Sequence, residues 1–129
     1  MTTKDDSESV VPSSTDDINN DLQRVFELDR IIHEPARLVI LAALSKAEEV
    51  DFKFLQMVTG LTKGNLSRQA TNLEEAGYIE IRKYYRHKVP ATDYRITDTG
   101  RRAFARYWDQ MAALQQRFHD EDSNHEKEE

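Results

Sequence analysis

Cysteine is absent from this chain. Its absence rules out a disulfide framework, a thiolate zinc site and a cysteine nucleophile. Long apolar runs are absent too. The longest, Leu38 to Leu44, falls far short of the roughly 18 residues that a membrane-spanning helix needs. The polar opening Met1 to Asp6 is followed by no apolar stretch, so no secretory leader is expected. The four glycines form no phosphate-binding loop. No nucleophile elbow or pair of carboxylates falls inside the expected core, and an enzyme is not expected. His33, His87, His119 and His125 have no metal-ligand spacing. His119 with Asp120 and Asp122 reads as a solvated tail, so neither metal nor cofactor is expected. These absences point to a soluble, cytoplasmic protein.

Charge is abundant, and its placement matters more than its sum. The net charge is −6, and 33% of residues are charged. Residues 1–34 hold nine acids and three bases, and 109–129 seven acids and two bases. Residues 35–108 between them hold thirteen bases and eight acids. A basic body therefore sits between acidic ends, which reconciles an acidic protein with a polyanionic partner. At 129 residues there is room for one domain and tails. The expected division is an unstructured acidic segment over 1–17, a domain over 18–118 and an unstructured acidic tail over 119–129.

Periodicity supplies the elements. Leu22, Val25 and Phe26, continued by Leu28, Ile31 and Ile32, predict a first helix. Pro35 ends it or opens the next, Ala36 to Ser45, which is apolar almost all round apart from Arg37. The residues around Val50 allow a short edge strand without requiring one. Phe52 to Val58 form a short helix stopped by Gly60. Thr62 caps the next helix, whose apolar positions Leu66, Ala70, Leu73 and Ala76 make a narrow stripe before Gly77. The period then becomes two: Ile79 and Ile81, then Thr92, Tyr94 and Ile96, predict a hairpin over 79–97 with its tip at His87 to Ala91. Asp98 or Thr99 caps a last helix with the face Ala103, Phe104, Tyr107, Trp108, Met111, Leu114 and Phe118. The expected fold class is mainly α with a small β-hairpin, a winged helix-turn-helix flanked by N- and C-terminal dimerisation helices.

A helix-turn-helix offers the first turns of its second helix to the major groove. With the apolar stripe inward, Thr62, Lys63, Gly64, Asn65, Ser67, Arg68, Thr71 and Asn72 are the candidate groove residues of helix 62–76. Arg68 suits guanine or phosphate, Asn65 and Asn72 adenine, and Ser67 and Thr71 either a base edge or phosphate. Gly64 removes bulk where the backbone would approach DNA, and the helix N-terminus favours a phosphate. Arg82, Lys83, Tyr84, Arg86, His87 and Lys88 make the hairpin a basic wing suited to the DNA backbone or minor groove. Polar residues also coat ordinary solvent faces, and basic residues also protect sheet edges. The combination, rather than either element alone, favours double-stranded DNA as partner.

The run from Phe52 to Ile79 resembles the core of MarR/ArsR-type winged-helix regulators. It is especially similar to those whose recognition helix reads Gly-Asn-Leu-Ser (Gly64 to Ser67) and ends Leu-Glu-Glu-Ala-Gly-Tyr (Leu73 to Tyr78). Tyr94 to Arg101 and Ile32 to Leu41 match the same group, so the resemblance spans about 26–110. It implies a dimer that binds DNA and regulates transcription, usually as a repressor. Lys63, Asn65, Ser67, Arg68 and Thr71 would then face the groove, and residues 82–88 would form the wing. The metal-sensing branch uses cysteine or clustered ligands, and this chain departs from it.

The last helix carries more apolar surface than so small a domain requires. Leu22, Val25, Phe26, Tyr107, Trp108, Met111, Leu114 and Phe118 are therefore the candidate homodimer interface, although the two faces can also pack within one chain. A twofold dimer would set two reading helices about one DNA turn, roughly 34 Å, apart. The alternative function is a winged-helix interaction module whose basic wing docks an acidic protein. A third is a structural role in which the acidic ends recruit a basic partner. Nothing in the sequence indicates a small-molecule effector.

Overall fold

The computed structural model describes residues 15–128, so most of the expected N-terminal segment 1–17 lies outside the described residues. In chain order the elements are α1 (Thr15–Phe26), α2 (Pro35–Ser45), β1 (Val50–Asp51), α3 (Phe52–Thr59), α4 (Lys63–Glu75), β2 (Ile79–Arg86), β3 (Val89–Ile96) and α5 (Asp98–Glu128). They fall into two units. One is Asp29–Asp109, and the other joins the described residues up to Leu28 with those from Gln110. No helix among the described residues is long and apolar enough to cross a membrane.

In the 29–109 unit, local side-chain chemistry sets most element boundaries. The apolar pattern predicted helix through Ile32, but α1 stops at Phe26. Asp29 is the reason: its Oδ1 accepts from the backbone N–H of Ile31 at 2.8 Å and of Ile32 at 3.2 Å. This local turn competes with the helical ladder. The Tyr78 hydroxyl donates to the other oxygen of Asp29, tying the turn to the chain just after α4. Burial, aided by that hydrogen bond, pushes the Tyr78 hydroxyl up to about 12. Pro35 then opens α2 at its first turn, and Glu34 caps it by accepting from Arg37 N at 2.9 Å. Asp51 caps α3 through Phe54 N at 2.8 Å. Gly60 closes α3 at φ 74°, a left-handed conformation that favours glycine.

The sheet has strand order β1-β3-β2, antiparallel throughout, and the Val50 segment does form its edge strand. Ile79 pairs with Ile96 and Ile81 with Tyr94, placing the apolar members of both long strands on one face. Ile79, Tyr94 and Ile96 are buried with Ile32, Ile40, Leu41, Leu44, Leu55, Leu66, Leu73, Ala103 and Tyr107. Each large apolar side chain so buried contributes about 1.5–3 kcal/mol of transfer free energy. The hairpin tip is shorter than the sequence implied. Only His87 and Lys88 lie outside the strands, while Val89, Pro90 and Ala91 belong to β3. Pro90 is tolerated because β1 opposes β3 only at Asp93 and Tyr94, leaving no third strand beside the proline.

The cap of α5 is Thr97, one residue earlier than expected: its Oγ1 accepts from Gly100 N at 2.9 Å. Gly100 itself is dictated by a close approach, since a Cβ there would overlap the Tyr78 carbonyl oxygen.

The second unit contains α1 and α5 from Gln110 onward, with an Arg117–Asp21 ion pair at 2.9 Å. Leu28 and Leu114 are buried, whereas α1 itself buries no residue. The sequence suggested a tail from 119, but α5 runs on through Glu128. No glycine or proline interrupts 101–128, and its Glu, Gln and Lys content favours helix.

Candidate nucleic-acid interface

Burial of Leu66, Ala70 and Leu73 fixes the rotation of α4. It leaves Thr62, Lys63, Gly64, Ser67, Arg68 and Thr71 exposed, with Asn65 and Asn72 half-buried. The hydroxyl of Thr62 is spent on the cap, accepting from Asn65 N at 3.2 Å. Around Gly64 the space is open, with nothing within 4 Å of a Cβ placed there. The fold therefore does not require glycine at this position.

The polar side chains of α4 are linked to one another. Arg37 of α2 donates through Nε to the Ile31 carbonyl at 2.6 Å and through Nη1 to Gln69 Oε1 at 2.9 Å. Gln69 Nε2 donates to Asn65 Oδ1 at 3.1 Å, and Arg68 Nη2 donates to the same oxygen at 3.1 Å. Asn72 Nδ2 approaches Gln69 Oε1 at 3.5 Å, the outer limit of a hydrogen bond.

The wing has two chemically different faces. On the α4 side, Lys83 and Ile81 of β2 and Thr92 and Tyr94 of β3 line a crevice of about 540 Å³ with Ser67, Thr71, Glu74 and Phe52. Burial pushes the Tyr94 hydroxyl up from its ordinary value. On the opposite face Arg82 and Arg95 are paired with acids, while Arg86 is held by a hydroxyl. Arg82 reaches Asp93 Oδ2 at 3.0 Å and Glu49 Oε2 at 3.3 Å, and its guanidinium lies 4.3 Å from the Tyr84 ring centre. The Tyr84 hydroxyl donates to Asp93 at 3.0 Å and accepts from Arg86 Nη2 at 3.1 Å. Arg95 pairs with Glu80 at 2.6 Å. Among the described residues Lys63, Lys83, His87 and Lys88 have no side-chain partner, so the wing presents fewer open charges than its composition implies.

The two-residue tip is strained. His87 has φ 53° and Lys88 φ 68°, left-handed values that glycine or asparagine adopts far more readily. Neither residue is there to ease the turn.

The residues expected at a dimer interface divide. Tyr107 is 1% exposed and Leu114 8%, so both serve the chain's own packing. Tyr107 accepts or donates at 2.6 Å to His33 Nδ1 and stacks edge-on with Trp108. Leu22, Val25, Phe26, Trp108 and Phe118 remain between 42% and 65% exposed, with Met111 half-buried. Sequence reasoning missed Arg37, Gln69, Asp93 and Glu49. Gln69 follows Asn65 by four residues, the spacing at which helical side chains meet, and that signal was available. Asp93 opposes Arg82 only once the strand register is known. Among the described residues no three His, Asp or Glu side chains are grouped to hold a metal ion.

A family model described as a winged helix DNA-binding domain matches residues 36–115. The chain is similar to a functionally uncharacterized protein of Methanocaldococcus jannaschii, 36% identical over 78 residues, which are 60% of this chain and 85% of that one. Among solved structures it is similar to a transcriptional regulator homologue from Pyrococcus horikoshii OT3. That match has TM-score 0.66 and 28% identity, and covers 74% of this chain and 93% of the other. A MarR-family transcriptional regulator from Silicibacter pomeroyi matches at TM-score 0.53 and 22% identity, over 76% of this chain and 65% of its own, a likeness of fold.

Proposed function

The chain belongs to the winged helix DNA-binding domain family, and from that premise we propose that it is a sequence-specific regulator of transcription. In this reading α4 enters the major groove of duplex DNA, and the wing lies on the adjacent backbone or in the minor groove. The observation that carries the proposal is the juxtaposition in one unit of an exposed Lys63, Gly64, Ser67, Arg68 and Thr71 on α4 with an unpartnered Lys83 and Lys88 on the wing. Arg68 and Asn65 read base edges, and Ser67 and Thr71 bind base edges or phosphate. Lys63, Lys83, Arg86, His87 and Lys88 contact the backbone, and the N-terminus of α4 supports a phosphate. Arg82 and Tyr84 shape the wing and hold Arg86.

The protein acts in the cytoplasm as a homodimer, with the exposed Leu22, Val25, Phe26, Trp108, Met111 and Phe118 supplying apolar area for a second copy. Repression is the proposed output, because occupancy of a site by a small dimer suffices to exclude other proteins from it. Selection of binding sites from random duplexes tests this reading, and a twofold-symmetric consensus is expected. On that consensus Arg68→Ala should cost about 1–3 kcal/mol while leaving binding to unrelated duplex nearly unchanged. Equal binding of Arg68→Ala and wild type to the consensus would remove α4 from the reading role.

A further inference from the structure

The orientation of the Asn65 amide follows from two arginines, and the base that α4 prefers follows from that orientation. Arginine has only donors. Arg37 Nη1 therefore fixes Gln69 with its oxygen toward α2, which turns Gln69 Nε2 toward Asn65. Arg68 also donates to that oxygen, but through an exposed side chain that DNA can draw away, whereas Gln69 is anchored by Arg37. Both contacts place Oδ1 of Asn65 inside the network, already accepting two hydrogen bonds, and leave Nδ2 as the group with no protein partner among the described residues. Arg68 is exposed and has further N–H groups beyond the one it gives to Asn65.

We propose that Gln69, anchored by Arg37, is a specificity-determining positioning residue that makes the Asn65–Arg68 pair of α4 present only donors to a base, selecting guanine over adenine. Paired recognition of adenine by asparagine needs the amide oxygen to accept from adenine N6 while the nitrogen donates to N7. That oxygen is occupied here. Guanine shows two acceptors, O6 and N7, in the major groove, and matches a surface that only donates. The candidate adenine reader at position 65 thereby becomes a guanine reader beside Arg68. Asn72 meets Gln69 only at 3.5 Å, the outer limit of a hydrogen bond, so its amide is held less firmly.

This inference rests on the proposed DNA-binding role, and one experiment separates the two. Full-length wild type, Gln69→Leu and Asn65→Asp are each put through selection from random duplexes. Single-base variants of the wild-type consensus are then titrated, with thermal unfolding confirming that each variant is folded. Wild type should enrich guanine at the position that Arg68→Ala and Asn65→Ala both affect, with adenine there about tenfold weaker. Gln69→Leu should lose most of that guanine-to-adenine ratio while binding unrelated duplex as wild type does. Asn65→Asp keeps an acceptor for Gln69 and Arg68 but turns an acceptor toward the base, so its preference should move to cytosine or adenine, which offer an exocyclic amino group. If wild type enriches no sequence at all, the DNA-reading proposal falls. If it enriches a site with adenine at that position, or Gln69→Leu keeps the full guanine preference, the relay alone is overturned. Should Gln69→Leu fail to fold, the Asn65→Asp preference decides, and an unchanged guanine preference there also overturns the relay.

Discussion

At the scale of single residues, Gly64 is a glycine that folding does not require, and in the proposed DNA-binding role it has a use. Glycine inside a helix costs up to about 1 kcal/mol relative to alanine. Nothing in the packing around position 64 asks for that cost, because a methyl group there meets open space. Gly64→Ala should raise the unfolding free energy by up to about 1 kcal/mol and weaken duplex binding, a pairing that equilibrium denaturation and a DNA titration would reveal together. Gly100 is the opposite case: the Tyr78 carbonyl occupies the space a side chain needs. In the sequence Gly64 stands out by its place at a helix start, whereas Gly100 shows only as part of a motif. A steric requirement of that kind depends on a neighbour 22 residues away in the chain, and no local pattern announces it. The same holds for Arg37 and Gln69, which are 32 residues apart and meet only when α2 and α4 pack.

Among elements, the wing shows how a composition becomes a geometry. Alternation of Ile79, Ile81, Tyr94 and Ile96 made the strands legible, because the period of two reports one buried face directly. The sequence alone draws the tip out to Ala91 because Pro90 resembles a turn residue while His87 and Lys88 do not, and the missing β1 partner that accommodates Pro90 is a tertiary fact. Holding Lys88 at φ 68° works against the left-handed penalty of about 1–2 kcal/mol for an L side chain. Lys88→Gly should therefore stabilise the fold by about 0.5–1 kcal/mol, raising the melting temperature by a few degrees. The same change should weaken binding to all duplexes alike. Stabilisation without loss of affinity would remove the tip from the DNA contact. The helix boundaries tell a similar story: Asp29 ends an apolar pattern that the sequence reads as continuous helix, because a side-chain acceptor outcompetes the ladder locally.

For the whole molecule, charge and apolar exposure set two expectations. The exposed apolar residues of α1 and α5, Phe26 at 65% and Trp108 at 47% among them, leave surface that association with a second copy would cover. A Trp108→Glu, Met111→Glu double variant should sediment as a monomer where the wild type sediments as a dimer. An unaltered dimer would move the interface elsewhere. The interface expected from the sequence also includes Tyr107 and Leu114, which are buried, because a helical apolar face does not say which of its members the chain's own core consumes.

Net charge of −6 disfavours a polyanion unless the cations are concentrated where contact occurs, and a salt titration reads that concentration directly. Duplex affinity measured from about 50 to 200 mM salt should fall with a log–log slope of about −0.9 per phosphate neutralised. Replacing both Lys83 and Lys88 by alanine should flatten that slope by nearly two for each protomer engaged. Salt-independent binding, or a slope the double variant leaves unchanged, would contradict the placement of the wing against DNA.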